Sequence, residues 1–166
     1  EMKETGIKWI PTAPLHWNYE KAKYCFITRN TKGNSINLEL LSPTQKYGVI
    51  PQNKYEELTS MVTVKINENT NLMSFKTIHN GDYCISLRSF EGGFEYCEYE
   101  GVVSPAYTVF YPTINCSRQY YRYLFKISPF IFEMNSYSLS LRDGKPISFD
   151  NFGNTVIPIP PKKEQD

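Results

Sequence analysis

The fold is decided by residues 80–111, which read NGDYCISLRSFEGGFEYCEYEGVVSPAYTVFY. The opening Asn-Gly-Asp supplies the positive φ angles of a tight turn between two strands. A strand-like run follows at 83–87, and the next Gly-Gly pair marks a loop that carries one arginine. Residues 102–111 are β-branched and aromatic around Ser-Pro-Ala, which predicts a buried strand interrupted near its start. Strands that present a Gly-rich loop are typical of recognition rather than of chemistry.

Length and composition predict one domain over residues 1–166, long enough to bury roughly 70% of its unfolded surface. The net charge is only +1, so no global basic field indicates nucleic acid. Basic residues nevertheless predominate over 1–66 and 101–147, and acidic residues over 67–100. The chain is therefore locally polarised although globally neutral.

The cysteines and the hydropathy pattern indicate a cellular compartment. Four cysteines stand at positions 25, 84, 97 and 116 without a Cys-x-x-Cys pair, so we expect no metal site. No signal peptide and no apolar run near 18 residues is present. We therefore predict a cytoplasmic protein with free thiols and no membrane contact.

Before residue 80 the pattern predicts mostly extended structure. Residues 1–17 contain two prolines and two tryptophans, which predicts an extended segment with both indoles packed on the core. Residues 21–27 fit a short helix or a strand equally well. Further strands are predicted at 38–41 and 46–50, residues 58–66 are apolar and rich in β-branched residues, and residues 72–78 lead into the central stretch.

After residue 111 the period changes to that of a helix. With Ser117 as the N-cap, residues 118–127 place six apolar or aromatic side chains on one broad face: Tyr120, Tyr121, Tyr123, Leu124, Phe125 and Ile127. Arg118, Arg122 and Lys126, spaced by four, lie opposite. This basic stripe fits either a solvated face or contact with phosphates or an acidic partner.

The remaining segments are shorter. A second helix is predicted at 130–137, a helical turn capped by Ser148 at 149–152, and an extended segment at 156–161. Residues 162–166 form a polar tail that is too short for us to predict a helix.

Signatures of catalysis are missing from the sequence. It has no Gly-x-Gly-x-x-Gly, phosphate loop, His-Glu-x-x-His or Gly-x-Ser-x-Gly. Glu95, Glu98 and Glu100 alternate with aromatic residues, which predicts the polar outer face of a strand rather than an acid–base pair. We predict a protein that is not an enzyme and binds no cofactor of its own.

Three stretches together resemble the specificity subunits of type I restriction–modification systems, and within them one target recognition domain. The opening TGIKWI with PLHW (5–17) is similar to that family's Gly-Ile-x-Trp and Ile-Pro-x-His-Trp motifs. The middle, GDYCIS through VSPAYTV (81–109), is similar to its Gly-Asp and Ser-Pro-Ala-Tyr strands. The closing IPIPPKKEQ (157–165) is similar to its Ile-Pro-x-Pro-Pro-x-x-Glu-Gln ending. The stretches occur in the family's order from one end of the chain to the other.

The resemblance implies an α+β fold, with a curved, mostly antiparallel β-sheet and a few packed helices. It also implies sequence-specific contact with one half of a bipartite double-stranded DNA target. Methyltransferase subunits that use S-adenosylmethionine and a restriction/translocase subunit are the implied partners and carry the chemistry. The family continues from residues 158–166 into a long spacer helix, so we expect this sequence to be one domain of a longer protein.

If the domain reads DNA, arginines contact base edges and other cations contact phosphates. The first predicted contact is Arg88 with Ser89, beside the Gly-Gly loop. The other predicted DNA-binding residues are Arg142 with Lys145, Lys46 with Tyr47, and Arg118 with Arg122. Two alternatives are a carbohydrate-binding β module with tyrosine platforms and a protein-docking domain without DNA affinity.

Overall fold

The computed structural model of the chain describes residues 1–33, 38–61, 72–87, 92–137 and 147–166. Its strands are β1 (Met2–Ile7), β2 (Ile10–Pro14), β3 (Asn18–Lys21), β4 (Phe26–Thr28), β5 (Leu41–Thr44), β6 (Gly48–Pro51), β7 (Lys76–Ile78), β8 (Tyr83–Ile85), β9 (Phe94–Tyr96), β10 (Gly101–Val103), β11 (Thr108–Pro112) and β12 (Val156–Ile159). Its α-helices are α1 (Gln52–Thr59), α2 (Arg118–Leu124), α3 (Ser128–Ser136), α4 (Phe149–Gly153) and α5 (Lys162–Gln165).

These elements belong to two compact units. The first comprises Glu1–Ile27, Arg88–Gly92 and Pro112–Asp166, and the second Thr28–Leu87 and Gly93–Tyr111. The first unit therefore gathers both ends of the sequence. The chain passes between the units four times: within β4, after Leu87, after Gly92 and near the end of β11.

Antiparallel pairs join the two ends of the sequence in the first unit. Strands β1 and β2 form a hairpin with an irregularity between Glu4 and Ile7. Strand β3 pairs with β12 over four residues, from Val156 opposite Lys21 to Ile159 opposite Asn18. The indole N–H of Trp9 donates to the Val156 carbonyl at 3.0 Å, which fixes the hairpin to β12.

An aromatic core fills the first unit. Phe26, Tyr121, Phe125, Phe130 and Phe152 are all at most 2% exposed, and their ring centroids lie 5.1–6.3 Å apart in edge-on and tilted contacts. Each ring that is removed from water contributes roughly 1.5–3 kcal/mol. The many aromatic residues of this sequence thus stabilise the packing of α2, α3 and α4.

The strands of the second unit follow one another around a closed ring. The order is residues 28–33, β11, β8, β9, β6, β5, β10, β7 and again 28–33. The strand pairs are antiparallel, and two isolated parallel bridges join β6 to Cys97 and Leu40 to β10. The ring closes where the Thr77 N–H donates to the Thr31 carbonyl at 2.8 Å. The predicted curved, mostly antiparallel sheet is confirmed.

Small and medium apolar residues line the inside of this ring. Seven buried residues form one cluster: Leu41, Val49, Ile78, Cys84, Cys97, Val103 and Val109. Each comes from a different strand or, for Cys97, from the bridge beside β9, so one apolar cluster connects the strands of the ring.

Several predicted strands have different bounds. The single strand over 102–111 was wrong, because Ser104–Tyr107 form a turn that separates β10 from β11. The strand at 38–41 begins only at Leu41, and residues 46–47 belong to a turn rather than to a strand. The polar outer face predicted for Glu95 was also wrong, since Glu95 is 1% exposed.

Two helices were not predicted. Helix α1 contains no buried residue, so no apolar period marks it in the sequence. Helix α5 forms one turn where we predicted only a polar tail. The helices at 130–137 and 149–152 are confirmed as α3 and α4, and the Ser148 hydroxyl accepts from the Asn151 N–H at 3.1 Å.

Candidate nucleic-acid interface

The β5–β6 turn holds one predicted DNA contact, Lys46 with Tyr47, in a defined conformation. The Tyr47 N–H donates to the Thr44 hydroxyl at 3.0 Å, and that hydroxyl donates to the Gly48 carbonyl at 2.8 Å. Gly48 has φ +73°, and a Cβ there would lie 2.7 Å from the Tyr96 carbonyl oxygen. The Lys46 ammonium lies 5.2 Å from the Tyr47 ring centroid. The turn therefore presents a cation supported by an aromatic ring.

Helix α2 carries two more predicted contacts but not the continuous basic stripe. Arg118 is exposed in the first turn, and Arg122 donates to the Gln119 side chain at 3.2 Å. The helix ends at Leu124, so the predicted extent to Ile127 was wrong. Lys126 lies beyond its end and donates to a backbone carbonyl, that of Gly92, at 2.8 Å. Lys126 is thus directed inward, away from the role of a third phosphate contact.

The apolar face of α2 is only partly covered. Tyr121 and Phe125 are fully buried, and the Tyr121 hydroxyl donates to the Pro158 carbonyl at 3.0 Å. Tyr123 and Ile127 are 67% and 42% exposed, which corrects the prediction of one broad buried face. They help to line a groove of about 610 Å³, whose walls are Ser117, Gln119, Tyr120, Tyr123, Leu124, Ile127, Gln165 and Asp166.

The other predicted contacts, Arg88, Ser89, Arg142 and Lys145, lie outside the described residues and stay predictions. The base of the segment that contains Arg88 is described. Strand β8 ends opposite β9 with Ile85 paired to Phe94, and the Ser86 N–H donates to the Gly93 carbonyl at 2.8 Å. Residues 87–92 therefore connect two hydrogen-bonded strands.

A buried ion pair explains the Gly-Asp motif. Asp82 is 1% exposed and accepts from Arg29 Nε at 2.7 Å, from Arg29 Nη2 at 3.1 Å and from the His79 N–H at 2.9 Å. The Arg29 guanidinium also lies 4.2 Å from the Tyr111 ring centroid. The hydrogen bond to Asp82 raises the pKa of Arg29 above its ordinary value. Sequence reasoning missed Arg29 because its partner is 53 positions away.

The turn before Asp82 is held by a second acid. His79 Nδ1 lies 2.5 Å from a Glu100 carboxylate oxygen, and the Asn80 N–H donates to the other at 3.2 Å. The hydrogen bond from His79 is the main reason why the pKa of Glu100 lies below its usual value. Glu100 thus stabilises a turn, a role that the alternation of acids and aromatics did not indicate.

The opening and closing motifs of the sequence meet in space. Glu164 accepts from Trp17 Nε1 at 2.8 Å and lies 2.5 Å from His16 Nε2, so Trp17 is held at the surface of the unit rather than in its core. The Gln165 side chain accepts from the Ser117 N–H at 2.8 Å and donates to the Pro160 carbonyl at 2.8 Å. Ser117 is the residue before α2, as predicted, but its hydroxyl makes no capping hydrogen bond to the helix. Its backbone N–H makes the bond to Gln165 instead. The two motifs therefore act as structural clamps.

The described residues also bear on metal binding and on membrane insertion. Within these ranges, no group of three or more His, Cys, Asp and Glu side chains could hold a metal ion. No helix in the described part of the chain is long and apolar enough to cross a membrane.

The fold that these elements define is mixed α and β, with mostly antiparallel strands, and it occurs in proteins of known structure. It is similar to the HsdS subunit from Thermoanaerobacter tengcongensis, with a TM-score of 0.52 over 92% of this chain at 15% sequence identity. It is equally similar (TM-score 0.52, 92% of this chain, 16% identity) to a chain of a type I restriction–modification system studied for its complex assembly and conformational transition. The chain spans only 35% and 36% of these two chains.

Comparisons by sequence alone found no related protein. No protein family's sequence profile matches the chain, and no curated protein matches it. At 15–16% identity the two structural similarities establish a shared fold. The α+β fold with a mostly antiparallel sheet, which the resemblance of the three motifs implied, is confirmed at this level.

Proposed function

We propose that this chain recognises one half of a bipartite double-stranded DNA target for a type I restriction–modification complex. The observation that carries the proposal is the fold shared with an HsdS subunit over 92% of the chain. The three sequence motifs support it, since two of them form the clamps at Glu164 and Gln165. Fold alone does not determine function, so the proposal depends on a direct binding test.

In this proposal the β5–β6 turn enters a DNA groove. A two-stranded β ribbon fits the major groove, where base edges differ in their donors and acceptors. The ammonium of Lys46, 5.2 Å from the Tyr47 ring, then contacts guanine or phosphate. Arg88 with Ser89, and Arg142 with Lys145, supply further base contacts, while Arg118 and Arg122 contact phosphates.

Catalysis in this proposal belongs to partner subunits. The chain itself is not an enzyme, and S-adenosylmethionine binds to the methyltransferase subunit rather than to this domain. A restriction/translocase subunit completes the complex.

The test is selection from a pool of random-sequence duplexes, with affinity measured by fluorescence anisotropy at several salt concentrations. Half-site recognition predicts an enriched motif of a few base pairs and an affinity that falls with salt by a log–log slope of about −0.9 per phosphate contacted. Salt-dependent binding without an enriched motif would mean that the isolated domain binds DNA without sequence preference. An absence of binding at low salt would reject DNA recognition.

A matched pair of variants then tests the contact residues. Arg88→Ala should relax preference at one position, by roughly 1–3 kcal/mol for a bidentate base contact. Arg118→Ala should weaken binding to all sequences alike and reduce the salt slope by about 0.9. If Arg88→Ala leaves both affinity and preference unchanged, its assignment is wrong.

A second candidate function, docking of a protein partner, is favoured by the exposed apolar groove at α2. Tyr123 is a large ring that is 67% exposed, with the Arg122 guanidinium 6.0 Å from its centroid. The double change Tyr123→Ser with Ile127→Ser should abolish binding of a methyltransferase subunit without lowering the unfolding midpoint. If the double variant still binds the methyltransferase subunit in a purified mixture, the α2 groove is not the docking surface.

A further inference from the structure

The directions of the strands define two ends of the ring in the second unit. Strand β8 is antiparallel to β9 and to β11, and Ile85 lies opposite Phe94 on one side and Thr108 on the other. Strand β5 runs parallel to β10, and β6 parallel to the end of β9, through the two isolated bridges. The ends of residues 28–33, β5, β8 and β10 therefore lie together with the starts of β6, β7, β9 and β11.

Three lysines lie at this end of the ring, which we call the lysine end (Lys32, Lys46 and Lys76). Lys32 is the bridge partner of Lys76 at the start of β7, and Lys76 lies opposite Val103, the last residue of β10. Lys46 is in the turn between β5 and β6. Lys32 and Lys46 are exposed, so a large ligand can approach both ammonium groups.

The described acids of the second unit lie at the opposite end, which we call the acidic end. They are in the segments that follow β6 and β9 or precede β5, β8 and β10: Glu39, Glu56, Glu57, Asp82, Glu98 and Glu100. The exception is Glu95, which is in the middle of β9 and 1% exposed. Arg29 and Lys54 are also at the acidic end, where they donate to Asp82 and Tyr99 respectively. The two ends of the ring therefore differ in charge, and a polyanion is attracted to the lysine end.

The segment Ser104–Tyr107 crosses the lysine end. It connects β10 to β11, which are not neighbours in the ring, since β7 and residues 28–33 lie between them. The Lys76 ammonium donates to the Tyr107 carbonyl at 2.7 Å, and the Tyr107 side chain packs against the buried cluster. Ala106 is exposed. The segment is therefore anchored at Tyr107 and presents Ala106 to solvent at the same end as the lysines.

We propose that double-stranded DNA lies across the lysine end, where Lys32 and Lys46 contact its phosphates and Ala106 faces the duplex. The acidic end is directed away from DNA, because its carboxylates would repel phosphates. This inference rests on the proposed function. It adds Lys32 and the segment Ser104–Tyr107, which the sequence did not indicate as DNA contacts.

Two substitutions of Ala106 have nearly the same size and differ in charge. Ala106→Glu should weaken binding to all duplexes by roughly fivefold or more at low salt, because it places a negative charge near phosphates. Ala106→Gln should have a much smaller effect. Equal affinities of the two variants for a random-sequence duplex would show that Ala106 does not face DNA.

Removal of one lysine from each end provides the second test. Lys32→Met should lower the log–log salt slope by about 0.9, for the selected motif and for random-sequence duplex alike. Lys54→Met is the matched control, because it removes the same charge from an exposed lysine of the same unit at the acidic end, and it should leave the slope unchanged. A slope that stays the same in Lys32→Met, or falls as much in Lys54→Met, would overturn the proposal. The unfolding midpoint of each variant separates lost contact from lost structure.

The outcomes distinguish this inference from the proposed function. If the unaltered protein binds no duplex at low salt, both are rejected. If it selects a motif but Ala106→Glu and Lys32→Met bind as the unaltered protein does, only the placement of DNA at the lysine end is rejected. If it binds without selecting a motif and both variants weaken binding, the lysine end is the DNA-binding surface and half-site recognition is rejected.

Discussion

Asp82 shows how one buried charge can hold a turn, two strands and an arginine together. Its carboxylate accepts from both Arg29 nitrogens and from the His79 N–H, while the Arg29 side chain remains 21% exposed. Removal of one partner from a buried ion pair costs roughly 3–5 kcal/mol. Because Arg29 retains some solvent, we expect Asp82→Asn to lower the free energy of unfolding by about 3 kcal/mol, at the lower end of that range.

Urea unfolding measures this loss. Glu39→Gln, at an exposed acid of the same unit, should change the free energy of unfolding by less than about 0.5 kcal/mol. An equally small effect of Asp82→Asn would show that the ion pair contributes little to stability.

Two glycines have the same φ angle but differ in the space that a side chain would meet. Gly6 and Gly48 both have φ +73°, but a Cβ would have nothing within 4 Å at Gly6 and would lie 2.7 Å from the Tyr96 carbonyl oxygen at Gly48. Gly6→Ala should cost about 1–2 kcal/mol, the cost of the left-handed backbone alone. Gly48→Ala should cost about 1–3 kcal/mol more, because backbone must move to relieve the contact. Equal unfolding midpoints for the two variants would contradict the close approach.

At the scale of elements, helix α5 is attached to the N-terminal segment by a pH-dependent contact. The hydrogen bonds from Trp17 and then His16 lower the pKa of Glu164. A carboxyl group with a depressed folded-state pKa stabilises the fold fully above its unfolded pKa of about 4.3. That contribution is lost as the pH falls through the lower folded-state pKa. The contact should therefore open below about pH 4.

Indole N–H resonances in NMR spectra can follow this opening. The Trp17 signal should move as the pH falls below the ordinary Glu value, and Glu164→Gln should abolish the movement. Trp9 is an internal control, because its indole N–H donates to a backbone carbonyl that does not titrate in this range. If both signals move together, the change is global unfolding rather than the opening of this contact.

Some helices and strands could be predicted from the sequence, and others could not. Helix α3 was predictable because its buried residues Phe130 and Met134 are four apart. Helix α1 has no buried residue and so has no periodic signal. The turn at Ser104–Tyr107 was mistaken for an irregular strand, because a short Ser-Pro-Ala sequence fits a bulge as well as a turn. What separates β10 from β11 is their different partners, β7 and β8, and the local sequence does not encode such long-range pairing.

At the scale of the whole molecule, the motifs located the fold but not the geometry of the candidate interface. The clamp of His16 and Trp17 on Glu164 joins residues 147 and 148 positions apart, so a motif read along the chain cannot reveal it. Lys126 likewise matched the i, i+4 spacing of Arg118 and Arg122, yet the end of α2 at Leu124 directs it toward Gly92. Spacing predicts a shared face only while the helix continues.

The four thiols provide separate reporters for the two units. Cys25 and Cys116 belong to the first unit, and Cys84 and Cys97 to the second. Burial raises the pKa of Cys25 to about 11 and that of Cys97 to about 12, and raises that of Cys84 further still. Cys116 is only half-buried, and Arg118 and Lys162 oppose the effect of burial on its pKa.

Alkylation of the native protein at pH 8 should therefore modify Cys116 first. At that pH a thiol with a pKa near 11 is ionised in only about one molecule in a thousand, and it is also shielded from the reagent. Cys25, Cys84 and Cys97 should react only after their unit opens, so their rates should rise with urea while that of Cys116 changes less. Mass spectrometry of the alkylated peptides assigns each rate to a unit. Labelling of Cys84 or Cys97 as fast as Cys116 in the absence of urea would contradict the closed ring of strands, because that ring is what keeps both thiols from solvent.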